Sequence, residues 1–117
     1  MKKILIVEDE LLVAKMYSMF LKKLGYEVLV LVNDGNLAVQ KSKELNPDII
    51  LMDVNLKNNT NGFSAASEIR TFSNAFIIFT TGNSMLEAKE QSASISNCSV
   101  LIKPVEPSEI DRVIKNA

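Results

Sequence analysis

Apolar residues fall into five short runs, each followed by a stretch of different period. "KILIV" (3–7) is a continuous aliphatic run, the pattern of a strand covered on both faces. From Glu10 the period changes. Val13, Met16, Phe20 and Leu24 recur at helical spacing, and Gly25 supplies a stop. "YEVLVLV" (26–32) is a second strand, and "NDG" (33–35) is turn chemistry. A weaker helix over about 36–45 turns Ala38, Val39, Ser42 and Leu45 inward and ends at Pro47. "DIILMDV" (48–54) is the third strand and "NLKNNTNG" (55–62) a polar loop. Phe63, Ala66 and Ile69 mark the inner face of a helix running to about Arg70. "AFIIFTT" (75–81) is the fourth strand. A helix of low apolar content covers roughly 84–93, and "SVLIK" (99–103) is a short fifth strand. Pro107 suits the first turn of a last helix, in which Ile110, Val113, Ile114 and Ala117 form a buried stripe.

Five strands alternating with five helices predict a doubly wound α/β domain. Its sheet is parallel, with helices on both faces and right-handed crossovers. Ligands of such folds sit beyond the carboxyl ends of the strands. No repeat, low-complexity tract or linker interrupts the 117 residues, so the expectation is a single domain over 1–117.

Composition narrows the chemistry. A net charge of −1 argues against broad attraction to nucleic acid or to an anionic membrane. There is no histidine, which excludes histidine nucleophiles, bases and metal ligands from this chain. The one cysteine, Cys98, cannot form an internal disulfide; a reducing compartment is the simple expectation. The apolar run of "MKKILIV" meets "EDE" too soon for a signal peptide, and no stretch approaches the ~18 apolar residues of a membrane span. The expected location is the cytoplasm.

The polar residues at the strand ends carry the functional argument. Strand one ends in Glu8 and Asp9, strand three in Asp53, strand four in Thr80 and Thr81, and strand five in Lys103 followed by Pro104. Parallel strands place all of these along one edge. Glu10 reads as a solvated acid or helix cap. Asp53 differs, because it closes an apolar run directly. Carboxylates crowded together without histidine or cysteine make an all-oxygen site suited to a hard divalent cation such as Mg²⁺. The cation offsets the repulsion among the acids, and Lys103 adds a further positive charge. Alternation lets only one of Thr80 and Thr81 face the pocket; Thr81 is preferred because it follows the full apolar run.

These residues resemble the response-regulator receiver domains of two-component signalling. The resemblance covers the whole chain. It rests on "VEDE", "IILMDVNL", "IIFTTG" and "LIKP", in which Asp9, Asp53, Thr81 and Lys103 are separated by 44, 28 and 22 positions. It implies a flavodoxin-like fold with strand order 2-1-3-4-5. It also implies a phosphorylation-dependent switch rather than an enzyme. Asp53 would be the phosphoacceptor. Asp9 would bind Mg²⁺ directly, Glu8 through water, and Asn55 by its backbone carbonyl. Thr81 would hydrogen-bond the phosphoryl group, and Lys103 would pair with Asp53 and then with the phosphoryl oxygens. The Lys103–Pro104 peptide is commonly cis in this family. The phosphodonor would be a sensor histidine kinase or a histidine phosphotransfer protein, and the output partner is not specified.

This chain departs from the family pattern in several places. Val100 stands three places before the lysine, where many relatives carry an aromatic residue, so an aromatic–threonine coupling is not available in its usual form. Lys57 replaces a frequent proline. Gly62 comes nine residues after the acceptor rather than the commoner eight. Gly82 replaces a frequent alanine and makes that loop more pliant. Other readings of the sequence stand beside this one. A degenerate receiver would bind a partner without phosphorylation. A flavin carrier on the same fold needs a phosphate loop after strand one, where "EDE" would repel a phosphate. A Mg²⁺-dependent phosphatase needs a general base, and Asn55 and Asn83 cannot serve as one.

Overall fold

The computed structural model describes residues 1–117. In chain order the elements are β1 (Lys3–Val7), α1 (Leu11–Lys23), β2 (Glu27–Val32), α2 (Gly35–Leu45), β3 (Ile49–Asp53), α3 (Gly62–Arg70), β4 (Phe76–Thr81), α4 (Met85–Ser92), β5 (Cys98–Ile102) and α5 (Pro107–Lys115). The five strands form one parallel sheet in the order β2-β1-β3-β4-β5. The expected architecture and strand order are therefore present. The sheet order reverses between β1 and β3, which opens a crevice at their carboxyl ends.

Period-two alternation divides the strand residues between two cores. Leu5, Val7, Ile50, Met52, Ile77 and Phe79 pack on one face beneath α2 and α3, where the rings of Phe63 and Phe79 lie 4.6 Å apart. Ile4, Ile6, Ile49, Leu51 and Ile78 pack on the other face, beneath Tyr17 and Leu21 of α1 and Ile110 and Ile114 of α5. The apolar runs read as doubly covered strands are covered because each run supplies both cores in turn. Side-chain caps start three of the helices. Asp34 accepts from Leu37 N, Asn61 from Phe63 N and Ser64 N, and Ser84 from Glu87 N.

Four local expectations are corrected. The buried face of α1 is Ala14, Tyr17, Ser18 and Leu21, whereas Met16 and Leu24 are exposed and Val13 and Phe20 are half-buried. Two of the buried residues, Ala14 and Ser18, are small, so a search for bulky apolar spacing selects the flanking arc instead. In α5 the buried pair is Ile110 and Ile114; Val113 is half-buried, and Ala117 is exposed because the helix ends at Lys115. β5 runs Cys98–Ile102, so Lys103 lies just past the strand, where its N–H donates to Thr81 O at 2.7 Å. The segment after β3 is no open loop. Gly62 N bonds Val54 O, Asn55 pairs with Asn61, and Leu56 N bonds Thr60 O, which makes a small antiparallel hairpin.

Candidate functional site

β1, β3 and β5 end together at the carboxyl edge of the sheet, and each delivers one charged group to the same point. Glu8 follows the last residue of β1 and is 4% exposed; Asp53 ends β3 and is 2% exposed. Asp9 turns half outward and Glu10 fully outward, at the N-cap position of α1. Glu8, Asp9 and Asp53 each present a carboxylate oxygen within 4.8 Å of the others. Lys103 reaches in from the opposite side. Its Nζ is 3.1 Å from Asp53 Oδ2 and 3.4 Å from Glu8 Oε1.

Backbone amides hold both buried acids in place. Glu8 Oε2 accepts from Glu10 N at 3.0 Å, and Asp53 Oδ1 accepts from Asn55 N at 3.2 Å. Asn55 thus sits at the mouth of the site, at the start of the hairpin. Thr81 is buried at the end of β4. Its Oγ1 accepts from Asn83 N at 3.1 Å, and no hydrogen bond joins it to the acids. Thr80, equally buried, is the register partner of Asp53 across β3 and β4. The Lys103–Pro104 peptide is cis.

One lysine facing three carboxylates leaves a surplus of negative charge. Burial is the main reason that the Glu8 carboxyl is pushed up to about 7; the Glu10 N–H opposes this and repulsion from Asp53 reinforces it. Burial also raises Asp53, with Lys103 opposing. Burial works against the charged form of Lys103, but its carboxylate partners outweigh this and hold it above the usual lysine range. Glu8 Oε1 is buried without a hydrogen-bond partner; Lys103 stands at ion-pair distance from it but not in hydrogen-bond geometry. An all-oxygen cluster with excess negative charge and one unsatisfied buried oxygen fits a hard divalent cation. A cleft of about 430 Å³, lined by Glu8, Asp9, Leu31, Asn33, Leu37 and Lys57, opens the cluster to solvent on the β2 side. A groove of about 390 Å³ bordered by Glu10, Tyr17, Lys103 and Pro104 lies on the other side.

Two features near the site escape the sequence reading. Tyr17 is buried on the inner face of α1, and its hydroxyl is raised to about 12, mainly by burial and next by the charge of Glu8. The correct helical phase would have turned it inward. The hairpin tip was hidden by its composition. Asn58 and Asn59 have φ of 60° and 55°, and Thr60 N bonds Lys57 O, the type I′ signature for which adjacent asparagines are suited.

Residues 4–115 match the family described as the response regulator receiver domain. The chain is 31% identical over 116 residues to the transcriptional regulatory protein PdtaR of Mycobacterium tuberculosis, matching 99% of this chain and 56% of that protein. It thus spans little more than half the length of that relative. It is 33% identical over 110 residues to the chemotaxis protein CheY of Thermotoga maritima, covering 93% of this chain and 91% of CheY. Among solved structures, it is similar to the receiver domain of the sensor histidine kinase PA1611 from Pseudomonas aeruginosa, which has a magnesium ion coordinated in its active site cleft. That pair has a TM-score of 0.84 and 33% identity, over 98% of this chain and 95% of the other. The chemotaxis protein CheY4 of Vibrio cholerae superposes with a TM-score of 0.89 at 27% identity, over 99% of this chain and 98% of that one.

Proposed function

This chain belongs to the response regulator receiver domain family, and on that premise we propose that it is a phosphorylation-dependent signalling switch modified on Asp53. Receiver domains in general are signalling modules served by histidine kinases or phosphotransfer proteins. The observation that carries the proposal for this chain is the setting of Asp53. It is buried, bonded to Lys103 at 3.1 Å, and within 4.8 Å of the oxygens of Glu8 and Asp9.

In the proposed reaction an Asp53 carboxylate oxygen attacks the phosphorus of a phosphohistidine on a sensor kinase or phosphotransfer protein. A P–O bond forms, the P–N bond breaks, and the departing imidazole nitrogen takes a proton from solvent. Mg²⁺ bound by Asp9, Asp53 and the Asn55 carbonyl, and by Glu8 through water, would neutralise charge on the phosphoryl oxygens. Lys103 leaves Asp53 Oδ2 for a phosphoryl oxygen and keeps the anion paired. Thr81 Oγ1 turns from Asn83 N toward the new oxygens, which frees residues 82–84 to move. Val100 is half-buried against the core beneath α2 and α3, so the movement proceeds there without an aromatic rotamer. Four apolar side chains of α1, Leu11, Leu12, Met16 and Met19, are exposed, with Leu11 and Met16 bordering the clefts that flank the site, and they offer a docking face to the donor. No helix is long and apolar enough to cross a membrane, and we place the switch in the cytoplasm.

Incubation with acetyl phosphate and Mg²⁺, followed by intact-mass measurement, tests this reading. One phosphoryl group is expected, requiring Mg²⁺ and absent from Asp53→Asn. Labelling that survives in Asp53→Asn would overturn the site. An unlabelled wild-type chain would favour a phosphorylation-independent binding module. Thr81→Ala and Thr80→Ala separate the two threonines: only the first is expected to slow phosphoryl uptake.

A further inference from the structure

The hairpin that follows Asp53 is too small to hold itself. It spans residues 54–62, with one backbone bridge at Asn55 and Asn61 and a type I′ turn at Lys57–Thr60. A short two-stranded hairpin is marginal in water without outside support. Its first strand is seated by Val54 and Leu56, which are buried in the core, and by Val54 N, which donates to Thr80 O at 3.0 Å; its turn is held by the junction of β2 and α2. Lys57 N donates to Asn33 O at 3.1 Å, and Lys57 forms a parallel bridge with Asp34. Gly35 N donates to Thr60 Oγ1 at 2.8 Å. At the tip, Asn58 Nδ2 donates to Asp34 Oδ2 at 2.9 Å, while Asp34 Oδ1 caps α2 through Leu37 N. One buried carboxylate therefore starts α2 and grips the turn 24 residues further on.

We propose that Asp34, acting through Asn58, is a positioning residue for the candidate cation site: it fixes the turn of the 54–62 hairpin and so keeps Asn55, whose N–H donates to Asp53 Oδ1 at 3.2 Å, in place at the mouth of the site. This inference rests on the assignment of Asn55 as a metal-facing carbonyl. The hairpin meets the α2 junction at three turn residues: Lys57 and Asn58 through their bonds to Asn33 and Asp34, and Thr60 through its bond from Gly35. The bonds from Leu37 and Asn58 outweigh burial and hold the Asp34 carboxyl below its ordinary range, so the grip persists through neutral and mildly acidic pH.

The test uses Asn58→Gly, because glycine adopts the positive φ of the turn without strain and removes only the side-chain donor. A Mg²⁺ titration followed by amide NMR shifts, with hydrogen exchange of the metal-free chain, provides two readouts. The expected result is a Mg²⁺ dissociation constant raised about tenfold, the usual scale for outer-shell partners, together with faster exchange at Leu56 and Lys57. The double variant Asp34→Asn/Asn58→Asp exchanges donor and acceptor at unchanged net charge and keeps a capping residue at position 34; it is expected to recover both readouts. Affinity within twofold of wild type in Asn58→Gly overturns the proposal, with or without faster exchange, and so does a double variant no better than the single one. Absence of saturable Mg²⁺ binding in the wild-type chain overturns the cation-site reading, and the positioning role with it. Normal wild-type binding with an unaffected Asn58→Gly overturns the positioning role alone.

Discussion

Burial holds the Glu8 carboxyl near 7, against an ordinary value of 4.5, so the metal-free chain carries a stability penalty that depends on pH. The folded state keeps the proton that the unfolded state has already released, so the contribution of Glu8 is fully present below about 4.5 and is lost as pH rises through about 7. Thermal melting in EDTA should therefore show a midpoint that drops between pH 5 and pH 7.5, and Glu8→Gln should flatten that slope. Added Mg²⁺ should raise the wild-type midpoint most at the upper end of the range, where the carboxylates are ionised. Two glycines make a second contrast at this scale. A Cβ on Gly62 would lie 2.3 Å from the Asp53 carbonyl oxygen, whereas one on Gly82 would meet nothing within 4 Å. Gly62→Ala should destabilise by about 1–3 kcal/mol and disturb the site. Gly82→Ala should be neutral or stabilising by about 0.4–1 kcal/mol, through the unfolded chain. Denaturant midpoints of the two variants check the pair.

At the level of elements, α1 divides its apolar residues between two tasks. Ala14, Tyr17 and Leu21 face the sheet, while Leu12 (82% exposed) and Met19 (63% exposed) face solvent. Leu21→Ala should cost about 2–5 kcal/mol in urea unfolding, the usual range for emptying a core leucine. Met19→Ala should change stability by less than about 0.5 kcal/mol. Under the proposed docking role, Met19→Ala should also slow phosphoryl uptake from a cognate phosphodonor protein while leaving uptake from acetyl phosphate unchanged. Equal rates from the protein donor would remove α1 from the docking face. The phase of α1 is not fixed by its sequence, because two overlapping arcs both satisfy helical spacing. The choice between them depends on which residues meet the sheet, and that is decided by a neighbour rather than by the helix itself.

At the scale of the whole molecule, the sheet brings together groups that lie far apart in the chain. Lys103 meets Asp53 across 50 residues, and Asp34 meets Asn58 across 24. The first meeting was legible in advance, because each partner ends an apolar run and parallel strands end on one edge. The second was not, because neither "NDG" nor "KNNT" carries a marker of the other, and each reads locally as turn chemistry. What the amino-acid order determined alone was the element sequence, the doubly wound class and the polar groups at the strand ends. These follow from backbone periodicity and from desolvation, which act over a few residues. The tertiary structure alone decided the inward arc of α1, the hairpin after Asp53 and its anchor at Asp34. It also decided which carboxylates lose water: Glu8 and Asp53 are buried, Glu10 is not, and Lys103 stands between the first two. Those outcomes depend on which surfaces meet when separate stretches of chain pack, and the distance and burial of each group are properties of the packed pair.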